Sequence, residues 1–267
     1  MVDIKEKIKP VSEKHSIKEV VISLFLSEPI EEPEKFRDLL DTTYKDIFQK
    51  FTPVSSFQVQ FKKDGNEQTT QFSQQDNAGF KFIANAIDGR AEKILQGINE
   101  PKRTFISYHT FNYDRWNTFL NEYQKTITAL AEAYPGFCII AFSLHYIDEL
   151  QWIDKKEALN KNLILKKGTE KIPGDFFKAR KPVFSLVSER EKQESIYYER
   201  LEVRIDQSTL PVLAISHNVT ENLSEKIRID QLFNSQFKQK LDTMHSYNKE
   251  MLAEILTDEV QNLIGLK

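Results

Sequence analysis

The stretch from Phe105 to Trp152 constrains the fold more than any other part of the chain. A helix-periodic apolar pattern stands there between two apolar strand-like runs. Trp116, Phe119, Leu120, Tyr123, Ile127, Leu130 and Tyr134 recur at three- and four-residue steps, which lines them along one stripe of a 3.6-residue helix. A helix from about Tyr113 to Ala133 is predicted, with Asn112 as its N-cap and Tyr134-Pro135-Gly136 as its end. Phe105 to His109 and Phe137 to Ile147 read as strands on either side. The second strand opens apolar on both faces, as a strand covered on both sides of a sheet does.

The rest of the chain arranges itself around this unit. Residues 1 to 14 are polar and read as frayed. Ile17 to Leu26 reads as a strand. Glu31 to Glu34, with Pro33 near the first helical position, open a second predicted helix carrying Phe36, Leu39, Tyr44 and Phe48. Short alternating runs follow, punctuated by Asp64-Gly65 and Asp88-Gly89, and imply an antiparallel meander. Ile153 to Pro182 is loop-like and basic, with nine Lys or Arg against four Asp or Glu. Three further strands are expected at Phe184 to Val187, Ser195 to Asp206 and Pro211 to His217. A long helix from about Asp230 to Leu263, restarting at Thr257-Asp258, closes the chain.

The expected fold class is therefore α+β: a mainly antiparallel sheet in two halves with three long helices packed on it. The expected organisation is a first half over 15–152, a basic connection over 153–182, and a second half over 183–265 of three strands and the C-terminal helix, in one compact domain.

Bulk properties exclude several functions. With 37 basic and 40 acidic residues the net charge is −3, so a nucleic-acid role would need a local basic face. One Cys among 267 residues rules out an intrachain disulfide and a cysteine-based zinc cluster. Cys138 reads as an inert core residue. No apolar run is long enough for a membrane span and no secretion signal opens the chain, so a cytoplasmic location without membrane association is expected. The eight glycines match neither a dinucleotide fingerprint nor a phosphate loop, and Gly-x-Ser-x-Gly is missing. No cofactor is expected.

Two groups of residues could carry chemistry. His109 ends one strand, and His145 with Asp148 and Glu149 ends another. A strand-helix-strand crossover would bring both ends to one edge of the sheet, where imidazoles and carboxylates could bind a metal or share a proton. Asp148 with Asp154-Lys155-Lys156 also resembles a short metal-dependent nuclease pattern. Asp242 and His245, three apart on a helix, share a face. Their two readings are an oriented base and a buried hydrogen bond that fixes the helix. None of these candidates has an identifiable nucleophile, and no metal site is assigned.

The chain resembles a sporadically distributed family of prokaryotic proteins of unknown function. The resemblance begins at Ile17-Lys18-Glu19-Val20-Val21 and continues at Gly79-Phe80-Lys81-Phe82. Its most specific part is Tyr113-x-x-Trp116-x-x-Phe119 followed by Leu144-His145-Tyr146-Ile147-Asp148, and it extends to Leu241-Asp242-x-x-His245 and Glu254-Ile255-Leu256-Thr257. The family pattern has Pro where Ser16 stands, Arg at His145 and Asn at Asp148. The resemblance implies no activity or ligand. It implies an accessory gene of patchy distribution, linked to defence or to a toxin partner.

The function expected from all this is a non-catalytic interaction or regulatory protein that binds a partner protein. The alternative is a metal-dependent hydrolase or nuclease using the His145/Asp148 region. The expected partner surface is Ile153 to Pro182, with Lys166, Lys167, Phe176, Phe177, Lys178 and Arg180 as its contacts. Apolar anchors within positive charge suit an acidic protein surface or single-stranded nucleic acid.

Overall fold

A computed structural model describes residues 4–64, 67–179, 182–192, 195–206, 210–233 and 235–266, without side chains for 56–64, 67–77, 190–192, 195, 196 and 235. Ten strands make up its frame: β1 Ile8–Pro10, β2 Ile17–Leu26, β3 Lys50–Asp64, β4 Glu67–Asn85, β5 Ala91–Glu100, β6 Arg103–Thr110, β7 Cys138–Trp152, β8 Val183–Lys192, β9 Ser195–Asp206 and β10 Val212–Arg228. They form one sheet in the order β3-β4-β5-β6-β2-β7-β10-β9-β8, with β1 also paired to β7. Every pairing is antiparallel. The α-helices are α1 Asp38–Asp41, α2 Trp116–Ala133, α3 Lys161–Ile164, α4 Ser235–Ile255 and α5 Asp258–Leu263.

The α+β layout of two half-sheets under three long helices is overturned. β7 pairs with β10 from Gln151↔Val212 to Cys138↔Arg228, so the strands on both sides of the basic segment belong to a single sheet. Among the described residues only α2 and α4, of 18 and 21 residues, exceed six residues. The helix expected from Glu31 is absent. A 3-10 turn over Pro33–Arg37 and the one-turn α1 stand in its place, and β3 begins at Lys50. The β-branched pair Thr42-Thr43 follows α1, and the Thr42 hydroxyl donates to the Asp38 carbonyl, a local bond that competes with helix continuation. Phe36, Tyr44 and Phe48 are still buried, and Phe36 stacks on Phe80 and Tyr134. The segment thus follows the core without following a helical period. The N-terminus is not frayed throughout either, since Ile8 is buried and opposite Trp152.

The register around β2 decides where the functional side chains go. β2 lies between β6 and β7 and runs antiparallel to both, so β6 and β7 are parallel to each other, one strand apart. Alternation along a strand sends successive side chains to opposite faces. Val20, Ile22, Leu24 and Leu26 enter the core with Ile106, Tyr108, Leu144 and Tyr146. Val21, Ser23 and Phe25 point the other way, into an open groove. The core face carries two apolar clusters. One gathers β2, β4 to β7, α2 and the first half of α4. The other gathers the end of β7, β9, β10, the second half of α4 and α5. Gly79 shows how closely β4 and β5 approach: a Cβ there would lie 2.0 Å from the Gly97 carbonyl oxygen, so only glycine fits.

Candidate functional site

The sheet sorts the candidate residues onto its two sides. His109 and His145 both stand opposite Val21, on β6 and β7, and form one row across three strands. Both line the open groove. Asp148 is three residues beyond His145 on the same strand, so it faces the core, where it is 1% exposed. Asp242 and His245 lie on α4, also on the core side. The structure therefore brings His109 and His145 onto one face and separates Asp148 from them. His145 and Asp148 cannot meet at one metal ion across the sheet. Among the described residues no group of three or more His, Cys, Asp or Glu side chains is placed to hold a metal.

On the open side, Glu19, Ser107 and Gln96 join His109. The His109 Nδ1 is 2.7 Å from Glu19 Oε1. Its Nε2 is 2.9 Å from Ser107 Oγ and 3.1 Å from Gln96 Nε2. A carboxylate only accepts, so Nδ1 carries the proton, and in the neutral ring Nε2 accepts from the hydroxyl and the amide. The His145 Nε2 is 2.8 Å from Ser216 Oγ on β10. Burial first, with Arg200 nearby, pushes His145 down to about 4 against the pull of Glu19, so its ring is neutral near pH 7. Ser107, Ser23 and Ser143 lie directly across from one another on β6, β2 and β7 and add a row of hydroxyls. The groove encloses about 440 Å³. Its cations are matched: Arg200 pairs with Glu202 at 3.2 Å and Arg103 with Glu100 at 2.7 Å.

On the core side, a polar seam divides the two apolar clusters. Ser16 donates to Asp148 Oδ1 at 2.7 Å, while Oδ2 is buried without a partner. Burial raises the Asp148 carboxyl to about 6, against the lowering effect of Ser16. The Trp116 indole donates to Asp242 Oδ1 at 2.6 Å. His245 stacks on the Trp116 ring at 4.4 Å and shares a hydrogen bond of 2.7 Å with the Tyr146 hydroxyl. Burial, then Lys249, pushes His245 down to about 4. Asp242 and His245 thus meet through Trp116 rather than through each other, and His245 also joins α4 to Tyr146 on β7. Further along, Glu199 accepts from Lys171 at 3.1 Å, lies 3.1 Å from His217 and accepts from Ser188 at 3.2 Å. Burial works against ionisation of Glu199, but bonds from His217, Tyr247 and Lys171 outweigh it and hold the carboxyl far below its ordinary range.

The basic segment is tied into the fold. Leu165 bridges Leu256, and Ile164, Leu165, Ile172 and Phe176 belong to the second apolar cluster. Phe176 is buried and so is not a surface anchor, and Phe177 packs partly against the same cluster. Lys166 donates to the Ala253 carbonyl at 2.9 Å. Lys167 lies 6.0 Å from the Phe177 ring, and Lys178 pairs with Asp175 at 2.8 Å. Arg180 lies outside the described residues. Cys138 is half-buried.

Several residues of both polar groups escaped the sequence reading. Glu19, Ser107 and Ser216 become neighbours of the histidines only through register. The one local signal is Ser107-x-His109, two apart on a strand and hence on one face. Lys171 looked like one more charge in a basic run, and nothing local ties it to Glu199.

No family model, no curated protein and no solved structure matches the chain. Among the described residues no helix is long and apolar enough to cross a membrane.

Proposed function

We propose that the chain acts by binding a partner protein, and that the partner sits on the open face of the sheet rather than on the basic segment. The observation that carries this is the apolar surface of β8. Val183 and Val187, 70% and 69% exposed, stand opposite Arg204 and Arg200 on the side that holds the groove. Tyr198 and Ile140, also exposed, flank the same side. Apolar and aromatic side chains beside arginines are the composition of a protein interface. Within the groove, the pairing of Arg200 with Glu202 and of Arg103 with Glu100 argues against a phosphate backbone there, which would call for unpaired cations. At the order's end, β8 pairs with β9 alone among the described strands, and such an edge offers a further pairing site. A regulatory role in an accessory or defence-type locus, implied by the resemblance, belongs to the same proposal.

Site-specific photocrosslinking in the native host tests the reading. A photoreactive residue at Val187 should give one discrete protein adduct, and one at Lys178 should not. Adducts from Lys178 alone, or none from Val187, would overturn it.

A further inference from the structure

We propose that Glu19, His109 and Ser107 form a nucleophilic chain in which Ser107 is acylated by small esters. This goes beyond partner binding and does not depend on it. Ser107 and His109 are two apart on β6 and share its open face, and Glu19 is two residues before Val21, which stands opposite His109. That register produces the unbroken sequence Ser107 Oγ to His109 Nε2 at 2.9 Å and His109 Nδ1 to Glu19 Oε1 at 2.7 Å. A hydroxyl within reach of a base that is itself held by a carboxylate is the arrangement that activates a serine. Glu19 fixes the tautomer that leaves Nε2 unprotonated, with the Ser107 hydroxyl and the Gln96 amide donating to it, so that it can take the Ser107 proton.

In the reaction, Ser107 Oγ bonds to the ester carbonyl carbon as its proton passes to His109 Nε2. The bond from that carbon to the leaving oxygen then breaks, and His109 returns the proton to the departing alcohol. Hydrolysis of the acyl-serine runs the same path with water: His109 takes a water proton, the water oxygen bonds to the carbon, the bond to Oγ breaks and Ser107 regains a proton.

The surroundings set both the substrate class and the rate. The groove of about 440 Å³ is in the range of small-ligand sites. Ser107, 1% exposed, lies at its floor, so only a slim acyl group reaches it. β6 is an interior strand, paired with β5 and β2, so its N–H groups are spent on the sheet. The polar side chains beside Ser107 are Ser23, directly opposite it, and Gln96, whose amide already donates to His109 Nε2. Without a preorganised amide pair about a hundred- to a thousand-fold in rate is forgone. That loss slows acylation and deacylation alike; with an activated ester the better leaving group makes acylation the faster step, so the acyl-serine accumulates.

Incubation of the full chain with p-nitrophenyl acetate, followed by intact-mass measurement and peptide mapping, tests this. One acetyl group on Ser107 and a burst of one equivalent of nitrophenolate are expected, and neither with Ser107→Ala. His109→Gln should slow acetylation of Ser107 about 100-fold or more per folded molecule. Glu19→Gln should slow it as well, and it decides the comparison where His109→Gln does not fold. Acetyl groups on lysines only, equal labelling of Ser107 in urea, or labelling that folded His109→Gln and Glu19→Gln leave unchanged would each overturn the proposal.

Discussion

The Trp116 indole N–H donates to Asp242 Oδ1 at 2.6 Å, and the same ring carries His245 stacked at 4.4 Å. One side chain of α2 thereby fixes two residues of α4. Trp116 is half-buried, so Trp116→Ala should cost about 3 kcal/mol, the low end for such truncations. Asp242→Ala should cost about 1–2 kcal/mol for the lost charge-assisted bond. Asp242→Asn should cost least because it keeps a carbonyl acceptor. Urea denaturation should rank the three in that order, and an Asp242→Asn variant as unstable as Trp116→Ala would contradict the pairing.

Asp148 predicts an unusual pH dependence. Its folded carboxyl is raised to about 6 by burial, above the ordinary value of roughly 3.9. The folded state then holds the proton more tightly, so this group favours folding at low pH. Its contribution is lost as pH rises from about 4 through 6, for a total of about 3 kcal/mol. Asp148→Asn removes the dependence. The stability of the variant relative to the parent should therefore rise between pH 4 and pH 7, as read from denaturation midpoints. A flat difference would mean that Asp148 is not desolvated.

His245 has the opposite sign. Its folded imidazole is depressed to about 4 by burial, below the ordinary value of roughly 6.5. Its contribution is complete above pH 6.5 and is lost as pH falls from there towards 4, by about 3 kcal/mol. His245→Gln should be less stable at neutral pH, where the stack is gone, and should show a shallower acid limb. Melting temperatures from pH 7 to 4 should converge between parent and variant.

Lys171 and Lys178 provide a contrast within one basic segment. Lys171 is buried against Glu199, whereas Lys178 meets Asp175 at the surface. Lys171→Met leaves the Glu199 charge in the core and should cost about 3–5 kcal/mol. Lys178→Met should leave the denaturation curve where it is. Equal effects would place Lys171 in solvent.

Much of the framework was legible in the sequence. The β2 strand falls at Ile17–Leu26 as expected, and the Trp116 stripe does form a helix. Periodicity reports a face, and each of these segments buries one. The segment after Glu31 shows the limit: Phe36, Tyr44 and Phe48 recur at helical spacing and are core residues, yet only a 3-10 turn and a one-turn helix form there. The separation of His145 from Asp148 was within reach, because an odd spacing on a strand puts two side chains on opposite faces.

Local pattern alone settles which stretches alternate, which have helical period, and that Asp242 and His245 share one face of a helix. That Glu19 meets His109, that Lys171 meets Glu199, and that the two expected halves form one sheet is set by long-range strand pairing and packing. Strand partners are chosen by register between segments far apart in the chain, which no local pattern encodes. A shift of one residue would move Glu19 and Ser107 to the core face and leave the local pattern of each strand unchanged.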